Sequence, residues 1–131
     1  MGCDIQWEPK GIFRRYFGHV TGQEMTEPVI AMQADPRFDR VRYVILDLLG
    51  IETFSVTHGD LELIGALDTA AVQSNPRLKL AIVATQPEII GMVAHYEDLA
   101  EGAFPTAVFS TVAEARAWAT IPSVHWPETT L

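Results

Sequence analysis

The chain has 131 residues, 48% hydrophobic and 20% charged, with 17 acidic against 9 basic side chains and a net charge of −8. A chain of this size buries roughly two-thirds of its unfolded surface around one core, and its composition excludes the disordered and disulfide-stapled classes. The acidic field repels nucleic acid and anionic membrane surfaces, and runs such as Val44-Ile45-Leu46 and Ala81-Ile82-Val83-Ala84 fall far short of the roughly 20 residues of a membrane span.

In chain order, Met1 to Glu8 lacks the basic start and apolar middle of a signal peptide, and Gln6 stands where a myristoylation signal wants Ser or Thr, so a cytoplasmic location is expected. Cys3 is the only cysteine and supports neither a disulfide nor a cysteine metal site. Ile5 to Glu8 and Ile12 to Phe17 flank Pro9-Lys10-Gly11 and predict an antiparallel hairpin. Within it Arg14-Arg15, like Arg37, Arg40 and Arg42 further on, reads as solvated charge around strand ends, with a local anion site as the alternative. Thr21 and Glu24 have capping-box spacing and open a helix to about Ala34, which Pro28 is expected to kink or divide. Asp35 to Asp39 stops it.

Val41 to Leu48 is the most continuously apolar run and predicts a central strand covered on both faces, with its polar end at Asp47. A loop is expected from Leu49 to Val56. Thr57 and Asp60 repeat the capping-box spacing and open a second helix carrying Leu61, Ile64, Leu67 and Ala71, stopped at Asn75-Pro76. Leu78 to Ala84 is the next buried strand, followed by a helix from Pro87 to about Glu101, with Gly102 as its stop. Thr106 to Phe109 is a last short strand, and Thr111 with Glu114 caps a helix through Trp118. The reading is one α/β domain over residues 1–120, of order β-β-α-β-α-β-α-β-α, with an extended tail over 121–131. Successive strand-helix-strand passages imply parallel pairing with right-handed crossovers, joined to the antiparallel hairpin in a mixed sheet.

Several segments along residues 4–119 carry a resemblance: Gly18-His19-Val20-Thr21, Asp35-Pro36-Arg37-Phe38-Asp39, Tyr43-Val44-Ile45-Leu46-Asp47, and Val108-Phe109 with Glu114-Ala115-Arg116-Ala117-Trp118. As an ordered set they resemble the SpoIIAA-like proteins of the STAS-like superfamily, whose relatives include the lipid-binding SEC14 group. The resemblance implies the STAS-like fold. It also directs attention to the start of the second helix, where phosphorylated anti-anti-sigma factors carry Asp-Ser-Ser-Gly and present a serine at a helix N-terminus. Here the stretch is Ser55-Val56-Thr57-His58-Gly59. Placing Gly59 on the motif's glycine puts His58 at the phosphoacceptor and Val56 at the aspartate, so the phosphoserine switch is expected to be lost. Ser55 and Thr57 keep hydroxyls, and Thr57 is accounted for as a helix cap.

Two clusters could carry function. Ser55, Thr57, His58 and Asp60, with Asp47, lie at the C-terminal end of a buried strand, where open α/β sheets place ligands. Ser55 lacks the flanking glycines of a nucleophile elbow, so a polar- or anion-binding role is expected ahead of catalysis. Met92, His95 and Tyr96 share the third helix, where spacing sets His95 beside Gly91 and Met92 as a pocket wall, with Tyr96 next to it; the plainer reading of His95 is a histidine on its helix's polar face. No residue set has the convergence of a metal site, and no nucleotide or zinc-enzyme motif is present, so no metal and no cofactor are expected. The leading expectation is a non-catalytic regulatory or interaction module, acting through a protein partner or a homodimer; the second is a binding module for a small apolar or amphipathic, lipid-like ligand; the third is an enzyme. Trp126, in the tail, is expected on the domain body or on a partner chain.

Overall fold

The computed structural model describes residues 2–121. Five strands, β1 (Cys3–Glu8), β2 (Gly11–Thr21), β3 (Tyr43–Ser55), β4 (Lys79–Val83) and β5 (Thr106–Phe109), form one sheet in sequential order. β1 and β2 pair antiparallel across the Pro9-Lys10 turn; β2, β3, β4 and β5 run parallel. Four α-helices, α1 (Gly22–Ala34), α2 (His58–Ala71), α3 (Pro87–Ala100) and α4 (Val112–Ala119), fill the connections and close the described chain, with a short 3-10 turn at Pro36–Arg40. The element order and the mixed, mostly parallel α/β sheet are those the sequence predicts. The tail with His125 and Trp126 lies outside the described residues.

Strand alternation sorts the core onto two faces. Ile12, Tyr16 and Val20 of β2, Val44 and Leu48 of β3, and Leu80 and Ile82 of β4 join a cluster with α1, α2 and α3. Tyr43, Ile45, Ala81 and Val83 point the other way and meet Ala115 and Ala119 of α4. Three helices thus cover one face and one covers the other. On the α4 side the packing is tight: a Cβ on Gly11 would lie 2.2 Å from the Tyr43 ring, so glycine is required where that ring crosses the hairpin.

Three expectations are corrected. The loop expected over residues 49–56 is strand as far as Ser55: β3 continues alongside the long β2, pairing Gly50 with Phe17 and Thr53 with His19. Register shifts between Arg15 and Phe17, and between Gly18 and His19, interrupt the alternation that marks a strand in sequence, which is why the segment reads as irregular. Pro28 neither splits nor ends α1, which runs as a single helix; Thr21 and Glu24 close both halves of the capping box and fix its first turn. Arg14, expected as solvated charge, is only 4% exposed. Its place between Ile12 and Tyr16 puts it on the face that α1, α2 and α3 cover.

Asn75 has more to do than stop a helix. Its buried amide donates to the carbonyls of Phe38 (2.9 Å) and Val41 (2.8 Å), tying the end of α2 to the approach into β3. The Thr57–Asp60 box is formed as expected, with Asp60 N donating to Thr57 Oγ1 (3.1 Å) and Thr57 N to Asp60 Oδ2 (2.8 Å). Among the described residues no helix is long and apolar enough to cross a membrane.

Candidate functional site

The long pairing of β2 with β3 gathers polar side chains at the C-terminal ends of those strands. His19 Nδ1 lies 2.6 Å from Thr53 Oγ1, and His19 Nε2 lies 3.4 Å from Ser55 Oγ. At the start of α2, His58 Nδ1 lies 2.6 Å from His95 Nε2 of α3, with the ring centroids 4.8 Å apart, and His58 Nε2 lies 3.4 Å from Glu62. In the His58–His95 pair one nitrogen donates and the other accepts. His58 and His95, taken from separate stretches of sequence, therefore form one surface pair. His19 joins Ser55 through a strand register that sequence reasoning had no means of reading.

The remaining candidates of this stretch have structural duties. Thr57 and Asp60 satisfy each other's backbone amides. The Asp60 carboxylate also packs against Gly22 at the start of α1, where a Cβ would come within 1.9 Å of Asp60 Oδ2. Asp47 is buried and accepts from the Leu49 amide at 3.0 Å; alternation with Tyr43 and Ile45 places it on the α4 face, so the structure does not bring it to His58. Among the described residues no carboxylate pairs with His19, and no three His, Cys, Asp or Glu side chains cluster as metal ligands would.

Beneath these helices lies a second site. Between the sheet and α1, α2 and α3 there is a cavity of about 70 Å³. Val44, Leu46, Leu80 and Ile82 form its floor, and Val29, Leu61 and Ile64 contribute to its walls. Met25 and Met32 of α1 and Met92 of α3 also line it, so three of the chain's 4 methionines meet there. An unbranched thioether changes shape at little cost, so such a wall adapts to what it encloses. Met92 and Tyr96, one turn apart on α3, both face this space, while His95 between them faces solvent.

Three polar side chains interrupt the apolar lining: Arg14, Asp68 and Tyr96. Tyr96 donates to Asp68 Oδ2 at 2.5 Å and Gln33 Nε2 donates to Asp68 Oδ1 at 3.1 Å, so both carboxylate oxygens have partners. Burial pushes the Asp68 carboxyl above its ordinary range against the lowering effect of the Tyr96 hydroxyl. Burial raises the Tyr96 hydroxyl too, and the adjacent Asp68 charge adds to it. Arg14 is different: its Nε and Nη1 are buried and have no hydrogen-bond partner among the described residues, and no carboxylate there comes within salt-bridge distance.

Asp68 and Gln33 were not singled out from the sequence, and Arg14 was read there as solvated charge with a local anion site as the alternative. The signal was present in two of them. Arg14 interrupts the inward alternation of Ile12 and Tyr16, and Asp68 falls four residues after Ile64 and seven after Leu61, on the buried stripe of α2. A charge on an apolar period marks a buried polar group. The chain matches no protein-family model and no curated protein.

Proposed function

We propose that this chain is a SpoIIAA-like domain of the STAS-like type that binds a small amphipathic ligand, acting by holding it and not by turnover. The observation that carries this reading is the cavity of about 70 Å³ under α1, α2 and α3, apolar over most of its wall and lined by Met25, Met32 and Met92. Binding sites for small molecules have this composition, an apolar lining with a few placed polar groups. The space suits a short chain or the end of a longer one, with the methionines shifting to admit it. Of the groups nearest the phosphoswitch position, Thr57 and Asp60 are held as a cap, Asp47 is held by a backbone amide, and Ser55 faces a histidine that no carboxylate pairs with among the described residues.

The protein-interaction reading has no observation of equal weight. Ile30, Leu63 and Ile90 are exposed, one on each of three helices, and single exposed apolar side chains are ordinary on any protein surface.

Methionine methyl NMR tests the proposal. Titration with 1-butanol and then 1-hexanol is expected to move the Met25, Met32 and Met92 signals together. Affinity should rise about fourfold for each added methylene until the cavity is filled, as about 0.8 kcal/mol per buried CH₂ implies. Methyl signals that stay put up to millimolar alcohol overturn the reading.

A further inference from the structure

Resting on that reading, we infer that Arg14 is the anchor for the ligand's polar end, and that this end is a single negative charge, a carboxylate carried on a short apolar chain. Arg14 lines the cavity and is 4% exposed, with Nε and Nη1 buried and unpartnered. A guanidinium keeps its charge in a protein interior and offers donors only. With two of its nitrogens left without an acceptor among the described residues, it is among the costliest groups a core can hold. The missing partner must therefore bring acceptor oxygens and negative charge.

Among the described residues nothing else facing the cavity fills that need. Asp68 is the other charged side chain in the lining; it feels the Arg14 charge across the space, but burial holds its carboxyl above the ordinary range and its two oxygens are taken by Tyr96 and Gln33, so it gives Arg14 no hydrogen bond. Tyr16, the next inward residue of β2, has its hydroxyl close enough to feel the Arg14 guanidinium, yet burial pushes that hydroxyl up to about 12, so it stays neutral and supplies no counter-charge. The ligand's charge is limited from the other direction. One guanidinium offsets one negative charge, and Asp68 across the same space disfavours a second. A dianionic phosphate ester is thus the poorer fit, and a monocarboxylate the better one. The apolar remainder would lie toward Met25, Met32 and Met92.

The test uses four six-carbon probes, hexanoate, 1-hexanol, hexylammonium and hexyl phosphate, titrated into the wild-type chain and into Arg14→Met at neutral pH, read by calorimetry and by the methionine methyl signals. Hexanoate is expected to bind the wild type about ten- to hundredfold more tightly than 1-hexanol, the ratio a charged hydrogen bond commonly supplies. Hexyl phosphate should bind less well than hexanoate, and hexylammonium least. In Arg14→Met the advantage of hexanoate over 1-hexanol should disappear while 1-hexanol binding persists. Equal binding of hexanoate and 1-hexanol to the wild type overturns the Arg14 inference and leaves the binding reading standing. Tighter binding of hexyl phosphate overturns the assignment of a single charge. No methyl response to any of the four overturns both. Should Arg14→Met fail to fold, the comparison of the four probes on the wild type decides alone.

Discussion

Two arginines, on opposite faces of one sheet, are treated in opposite ways. Arg116 of α4 donates from Nη1 and Nη2 to the two oxygens of Glu8, both at 2.9 Å, and Tyr43 donates to the same carboxylate. Arg14 of β2 lies deeper, yet two of its nitrogens have no partner among the described residues. The Arg116 face is closed by small residues, Ala81, Ala115 and Ala119, and by the Tyr43 ring over Gly11. The Arg14 face leaves a cavity edged by flexible methionines. A charge that holds a fold together comes with its partner built in; one that recognises something else is left open, at a cost to the empty protein.

Removing each charge should therefore shift stability in opposite directions. Arg14→Met is expected to stabilise the unliganded chain by about 1–4 kcal/mol, because a buried charge without a salt-bridged partner among the described residues is replaced by an apolar side chain of similar length. Urea denaturation measures it, and a destabilised variant would mean that Arg14 has a partner in the empty protein. The two faces should next differ in their tolerance of added volume. Ala115→Leu, at a fully buried position against β3 and β4, should cost about 1–3 kcal/mol by overpacking. Val29→Leu, on the cavity wall, should leave the melting temperature within a degree or two or raise it, an expectation of roughly zero net cost where a void is being filled.

Arg116→Met should destabilise by about 1 kcal/mol, the scale of a charged hydrogen-bonded pair discounted for solvent, since the Arg116 side chain is 41% exposed although that of Glu8 is only 11% exposed. The smallest effect is in the pH dependence, and it too has opposite signs on the two faces. The Arg116 guanidinium, with help from Tyr43, holds the Glu8 carboxyl below its ordinary 4.5. Glu8 thus contributes stability that is present above pH 4.5 and is lost as pH falls through its lowered folded value. Asp68 is raised above 3.8 by burial, so its ionisation opposes folding at neutral pH, and that opposition is relieved as pH falls through the raised folded value towards 3.8. Denaturation from pH 7 to 3 should show a shallower acid loss in Glu8→Gln and a steeper one in Asp68→Asn. Equal slopes would remove the electrostatic part of the contrast.

Much of the architecture was legible because it rests on local chemistry. Capping boxes at Thr21–Glu24 and Thr57–Asp60 depend on residues three apart, and the strands Lys79–Val83 and Thr106–Phe109 are continuous or nearly continuous apolar runs bounded by polar or turn residues. The second half of β3 was not legible, because two register shifts break its alternation and its pairing partner lies more than thirty residues away in sequence. The site divides along the same line. The spacing from Met92 pointed to His95 for a pocket wall where the structure has Tyr96, and His58 and His95 could each be picked out as polar, but that the two histidines touch is a consequence of α2 packing on α3.

What the sequence by itself determined is the order of strands and helices, their caps and the apolar faces they must bury, since propensity and periodicity act within a few residues. Only the tertiary structure decided that Arg14 is enclosed and Asp68 answered by Tyr96 and Gln33, and that a cavity separates the sheet from three helices. Burial and partnership belong to what the chain brings together from afar, and a side chain's letter in the sequence carries neither.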